Sequence, residues 1–467
     1  MLQKINTIYL QLQTMKTITL FKIIAILLFT SKNYSQEGCW KQTSAGQQHT
    51  LALRNDGTIW AWGSNYHLVL GTGTGLDSHI PIQVGTDNDW KQITTGTVVN
   101  LAIKQNGTLW AWGYNDAGEF GNGTFENSAI PVQIGTENDW KEVYANGTQT
   151  GGIKNDGRLW IWGYGTSYPD YNMPTLINDN IGWKHVRLGT QHSLAIKTDN
   201  TLWTWGSNQQ GQLGIPSATY TNTPIQVSPS STWKDADRGF FFTIAIKSDG
   251  SLWAWGDSNG IGWLGNGLAN GRSNIPLQIG TETNWKKVKC GINFTLAIKE
   301  DGTLWGWGSN FYGQLGDGTN VSKYSPVQIG TDTDWKELGN NDYFHTSAIK
   351  NDGSLWSWGR NFLGALGDGT LIDSNVPILV ECVTLGTKEN NFKSKFSIYP
   401  NPSASLISIK NPENAVINKI LITDFLGKKV LETSNKEFID VSKLSAGMYI
   451  IQIYHEGKIS KEKFLKL

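Results

Sequence analysis

The side chains that could do chemistry recur at intervals along the chain. Among its 39 acidic residues, Asp56, Asp156, Asp249 and Asp352 each stand directly before a glycine, at matching points of successive segments. A residue repeated in this way serves a turn. Hydrolytic chemistry needs one acid and one base at a set separation across a single site, and no two of these carboxylates stand apart from the rest. The histidines give no metal shell either. His49, His192 and His345 share a repeated position with Val99, Gln149, Phe242 and Phe294, a mixture that suits packing or backbone hydrogen bonding, not coordination. Asp317-Gly318-Thr319 and Asp368-Gly369-Thr370 lack the spaced oxygen ligands and closing glutamate of a calcium loop, so they read as turns. No Ser-His-Asp order or phosphate-binding glycine loop stands clear of this background. No cofactor, metal or catalytic residue is assigned.

The elements that carry these groups come from one unit repeated seven times. Trp-x-Trp-Gly begins at Trp60, Trp110, Trp160, Trp203, Trp253, Trp305 and Trp356, and each copy follows a Trp-Lys pair, at Trp40, Trp90, Trp140, Trp183, Trp233, Trp285 and Trp335. These motifs account for all but one of the 22 tryptophans, and the one left over is Trp263. Within a unit such as 285–330, four short β-like runs (285–288, 295–299, 303–307 and 326–329) are divided by turn signals. The middle turn holds glycine in six units and Asn200 in the seventh. Asparagine tolerates the left-handed conformation best after glycine. Four strands expose two apolar faces, and seven such units bury them by closing into a ring. The expected fold is all-β: a seven-bladed β-propeller over residues 38–386, a linker over 387–395, and a small antiparallel β-sandwich over 396–467.

Two resemblances follow from these motifs. Gly-x-x-His-Ser/Thr-x-Ala at residues 46–52 and 189–195, with Asp-Gly, Trp-x-Trp-Gly-x-Asn, Gly-Gln-Leu-Gly and Asp-Gly-Thr after it, resembles the regulator of chromosome condensation repeat over roughly residues 38–386. That resemblance implies the propeller but not one function, because folds of this kind host many activities. The tail opens on Tyr399-Pro400-Asn401-Pro402, continues through residues 424–428 and ends near Gly447-Met448-Tyr449. It resembles the C-terminal sorting domain of type IX secretion substrates in Bacteroidetes. The resemblance implies recognition by that machinery, with Tyr399, Pro400, Asn401, Pro402, Gly447 and Tyr449 as its motif residues.

The N-terminal 36 residues, with an alternative start at Met15, read as a signal peptide: a lysine, a short apolar stretch over 18–29, then a polar exit. No other segment is apolar enough to span a membrane. Zero net charge divides into +4 over 1–36, −9 over 37–386 and +5 over 387–467. A central segment at −9 lacks the cationic footprint of a nucleic-acid binder. In an oxidising exterior, Cys39 before the first strand and Cys382 after the last would be brought together by ring closure and latch it. Cys290 reads as a small core residue.

Loops on a rigid scaffold carry specificity, so binding residues are sought where the repeat breaks. The third unit is about seven residues short and carries Tyr164, Tyr168, Tyr171 and Met173 in place of its arm. The fifth has an irregular arm containing Trp263. The expected function is a secreted or surface-attached, non-enzymatic binder of an extracellular protein or glycan. The alternatives are an extracellular hydrolase or lyase working in the central channel and, conflicting with export, nucleotide exchange on a small GTPase.

Overall fold

The computed structural model describes residues 39–382 and 396–466, apart from 166–167, 342, 401–402, 411–415, 425–428, 434–437, 446 and 456–457. The expected signal segment, the 387–395 linker, and Asn401 and Pro402 of the sorting motif lie outside the described residues. The chain divides into two compact units between Cys382 and Val383.

The first unit contains seven four-stranded antiparallel sheets over 40–83, 90–134, 140–176, 183–226, 233–278, 285–329 and 335–380, here called blades 1 to 7. Within each blade the four main strands follow chain order, so every blade is one contiguous stretch; the short strand Asn340–Asn341 of blade 7 adds a fifth, parallel to Ser44 and Ala45, at the edge of the blade 1 sheet. Antiparallel order places the links between strands one and two, and between strands three and four, at one end of each blade. This end is the arm face. The tight turns between strands two and three, and the connections between blades, lie at the opposite end.

Repeated residues build each blade-to-blade seam. Gly57, Gly107, Gly157, Gly250, Gly302 and Gly353 adopt φ between 78° and 85°, and Asn200 adopts 64°. At Gly57 a Cβ would lie 2.0 Å from the Asn88 carbonyl, so the turn requires the missing side chain as well as the left-handed backbone. The carbonyls of all seven residues accept the N–H of the next blade's leading tryptophan, as in Trp90 to Gly57 at 3.1 Å and Trp233 to Asn200 at 2.7 Å. The last seam follows the same rule, with Trp40 donating to Gly353 at 3.2 Å. Cys39 and Cys382 form a disulfide across it, with their Cα atoms 6.3 Å apart.

The second tryptophan of each Trp-x-Trp-Gly is buried, from Trp62 to Trp358. Several of these indoles donate to the preceding blade's arm, Trp62 to Ala365 and Trp112 to Val69, both at 2.9 Å. The first tryptophan and the leading tryptophan flank the cation that ends strand two. Arg54 lies 3.6 Å from the Trp60 ring centre, and Lys299 lies 3.6 Å from Trp305 and 4.6 Å from Trp285. The same sandwich recurs in every blade. Such contacts contribute about 0.5–2 kcal/mol each.

The second unit has two small antiparallel sheets. One contains Ser397–Tyr399, Leu406–Lys410 and Ile439–Asp440, and the other contains Ile417–Asp424, Lys429–Thr433, Gly447–His455 and Lys458–Lys466. Alternating isoleucines (Ile420, Ile422, Ile451 and Ile453) and Phe464 fill its core. Tyr449 is buried there and its hydroxyl donates to Ser445 O at 2.9 Å, whereas Tyr399 is exposed.

Candidate functional site

The first strand of each blade lines a central cavity of about 610 Å³. Its third residue takes part in a contact with a neighbouring blade. Gln42 pairs through its amide with both the N–H and the C=O of Ile93, at 3.1 and 2.8 Å, and Gln92 does the same with Val143. In blade 5 the clasp is Asp235, whose Oδ2 accepts from Val288 N at 3.0 Å while Oδ1 accepts from Ala236 N. In blade 3 it is Glu142, which accepts from the Val186 amide and also from His185 Nδ1 at 2.9 Å, with Arg187 Nη1 at 3.4 Å from its other oxygen. Glu337 is paired with Lys287.

Burial raises the Asp235 carboxyl, with Arg187 and Lys289 opposing it. Burial also acts to raise Glu142, but the His185 hydrogen bond and the Arg187 charge outweigh it and hold that carboxyl below its usual range. One step deeper, burial and nearby Arg187 lower the Lys289 ammonium. Its Nζ donates to Asn340 Oδ1 at 2.9 Å and stands 4.0 Å from Asp237.

On the arm face, aromatic side chains gather over blades 6, 7 and 1. Tyr312 meets Phe344 at 5.1 Å between ring centres, and the Arg360 guanidinium lies 4.8 Å from Tyr312 and 5.2 Å from Phe362. Phe311, Phe362 and Tyr66 are 62%, 45% and 77% exposed. The blade 7 link carrying Tyr343 reaches past blade 1, placing its hydroxyl 3.5 Å from Thr97 of blade 2.

The residues expected to bind a ligand are not brought together. In blade 3 the missing arm is replaced by the long strand Tyr168–Leu176, paired with Leu159–Gly165. Tyr164 and Met173 are exposed there, Tyr171 packs on the core between blades 2 and 3, and the side chain of Tyr168 lies outside the described residues. Trp263 requires a correction. It is 4% exposed and packs on Phe242 at 5.7 Å. Gly262-Trp263-Leu264-Gly265 occupies the place of Gly-Gln-Leu-Gly, whose Gln212 and Gln314 are also buried. Trp263 therefore fills core space beside Phe242 and is not a surface anchor. Asp317 is engaged within its own arm, accepting from Asn310 at 2.9 Å and Thr319 at 3.0 Å.

Models of the regulator of chromosome condensation (RCC1) repeat match residues 56–103, 106–150, 199–246, 249–298, 301–337 and 352–391, and a second model of that repeat matches 40–67, 183–212 and 285–314. Together they cover more than half of the chain. It belongs to the regulator of chromosome condensation repeat family. The secretion system C-terminal sorting domain matches residues 397–466 of this RCC1-repeat chain. That tail marks it as type IX secretion cargo, destined for the cell surface or the extracellular space. Among the described residues, no helix is long and apolar enough to cross a membrane.

The RCC1-repeat chain is 27% identical to the Ultraviolet-B receptor UVR8 of Arabidopsis thaliana over 30% of its own length and 32% of the receptor's. It is 31% identical to the mitochondrial RCC1 domain-containing protein RUG3 of the same plant, over 21% and 22%. The alignments thus span a third or less of these relatives. Prp20p of Saccharomyces cerevisiae superposes with a TM-score of 0.62 at 18% identity, covering 79% of this chain and 91% of that one. Human WBSCR16 gives 0.59 at 20%, covering 65% and 85%. At such identities the likeness is one of fold.

Proposed function

We propose that the exported RCC1-repeat propeller is a non-enzymatic binding module whose arm face recognises an extracellular protein or glycan. The observation that carries this reading is the cluster of exposed Phe311 and Phe362 with half-buried Tyr312 and Arg360. Aromatic residues and arginine are the types most enriched among interface hot spots, and here a rigid ring displays them on neighbouring arms. Tyr164 and Met173 are exposed on blade 3 and are proposed as a secondary contact. The same chemistry favours a protein partner, and a glycan array supplies the other outcome.

The channel does bring carboxylates and His185 together from different blades, and Asp235 and Glu142 are shifted in opposite directions. Such a split is one signature of an acid and base pair. Their position in the repeat supports a structural role instead, because non-ionisable Gln42 and Gln92 form the same inter-blade clasp in blades 1 and 2.

The test is capture of partners by the secreted chain and by F311A/F362A and R360A variants, with affinity then measured on the recovered partner. Loss of about 2 kcal/mol, near thirtyfold in affinity, is expected for the double variant. Undiminished binding by both variants would remove the arm face from the proposal.

A further inference from the structure

The channel carries a charge opposite to that of its surroundings. Within a segment of net −9, the cavity is lined by six cations (Lys41, Arg187, Lys234, Lys286, Lys287 and Lys289) against the carboxylates Glu142, Asp235 and Glu337. Lys41, Lys234 and Lys286 come from the Trp-Lys pair that opens each blade. In all seven blades the first strand shifts register at this lysine, and a bulge of this kind re-aims a side chain. Lys91, Lys141, Lys184 and Lys336 hold the equivalent place. These positions mark the ends of the first strands opposite the arm face, a ring of seven chain positions of which Lys41, Lys234 and Lys286 line the cavity.

The turn position that faces Lys234 is acidic in one blade only. Lys234 pairs with Glu300 of the next blade's turn, but the matching turn positions hold Asn55, Gln105, Asn155, Thr198, Ser248 and Asn351. Deeper in the channel, the Nε of Arg187 is buried and has no hydrogen-bond partner, and Lys289 stands on the same wall set. A cavity of about 610 Å³ falls in the size range of small-molecule sites. It would accept a compact ligand or a chain end, not a folded partner.

We propose that the channel binds a compact phosphorylated polyanion, which enters through the lysine ring and places one phosphate group against Arg187 and Lys289. Clefts lined by one sign of charge concentrate oppositely charged ligands, and both phosphate esters and inorganic polyphosphate present that chemistry. The site lies at the other end of the ring from the arm-face patch and stands or falls separately from it.

Calorimetry on the purified full chain at low salt, with inorganic tripolyphosphate and fructose 1,6-bisphosphate as probes, tests the proposal. One-to-one binding that weakens as salt is raised is expected. The K41E/K286E variant should bind at least about tenfold more weakly with an unchanged melting temperature, while F362A should bind as the parent does. Tighter binding of the sugar bisphosphate would identify an esterified ligand, and tighter binding of tripolyphosphate an inorganic one. No binding of either probe, or equal binding by K41E/K286E, overturns the proposal.

Discussion

Replacing Cys39 and Cys382 together with serine is expected to lower the unfolding free energy by about 5 kcal/mol, the chain-entropy scale for a cross-link that closes so long a loop. The two cysteines are 343 residues apart. The size of the effect follows from the topology. Since each blade is a contiguous stretch, the seam between blades 7 and 1 has no continuous chain across it. Its remaining ties are non-covalent: the short parallel pairing of Ser44 and Ala45 with Asn340 and Asn341, Trp40 N–H to Gly353, Trp62 indole to Ala365, the Thr50 hydroxyl to Ala365 at 2.9 Å, and side-chain bonds from His345 to Thr50 and from Thr43 to Ser347. Every other seam has comparable bonds plus a peptide link. Urea denaturation of the double serine variant, and of the parent in reductant, should show matching losses. C290S serves as the control, since Cys290 is a free, buried thiol that burial holds well above its usual range. A double variant within about 1 kcal/mol of the parent, inside the error of such extrapolations, would show that blade packing alone keeps the ring shut.

Much of this architecture is legible in the spacing of a few residue types. Trp-x-Trp-Gly and the Asp-Gly turn report strands and a positive φ that local chemistry demands, so strand number and blade number follow from the sequence. The cation between the tryptophans was also readable, since Arg54, Lys104, Lys154, Lys197, Lys247, Lys299 and Lys350 recur at one position. It signals a core sandwich only once strand two is known to end over the rings.

The channel was not readable. Gln42, Gln92, Glu142, His185, Asp235, Lys287 and Glu337 share a position without sharing a chemistry, and such variation looks like a solvent-facing site until ring closure faces them inward. The arm-face patch left a signal that a search of the broken units misses. Tyr66, Phe311 and Phe362 occupy one place, the residue after the arm's asparagine, in units 1, 6 and 7. These units are neighbours only around the closed ring. Trp263 misled for the converse reason: its arm is irregular in length, but its position in the repeat remains the buried glutamine site.

Acid should loosen the ring well before most carboxylates titrate. His345, His49 and His192 each tie a blade to its successor. His345 Nε2 donates to Thr50 at 2.9 Å, His49 Nε2 to Asn100 Oδ1 at 2.8 Å, and His192 Nε2 to Thr243 at 2.8 Å. The acceptors donate onward to the first blade's arm, at Ala365, Val69 and Gln212. Burial pushes the three imidazoles down to about 3, 4 and 3 respectively from an ordinary value of 6.5. Between pH 6.5 and those values the unfolded chain binds protons that the folded chain does not, so stability is full above pH 6.5 and falls as the solution is acidified. Each histidine contributes about 1.4 kcal/mol per pH unit in this window, about 4 kcal/mol per unit for the three. Burial raises the Glu119 and Asp235 carboxyls, and this gives a smaller dependence of opposite sign. The exposed turn aspartates, held low by their own turns, withdraw stability only below the ordinary carboxylate range near pH 4. The triple variant H49Q/H192Q/H345Q uses the residue that blade 3 carries at this place, Gln149, and should flatten the profile of urea midpoint against pH from 7 to 5. An unchanged slope in that variant would show that these histidines are not the groups that make the ring sensitive to acid.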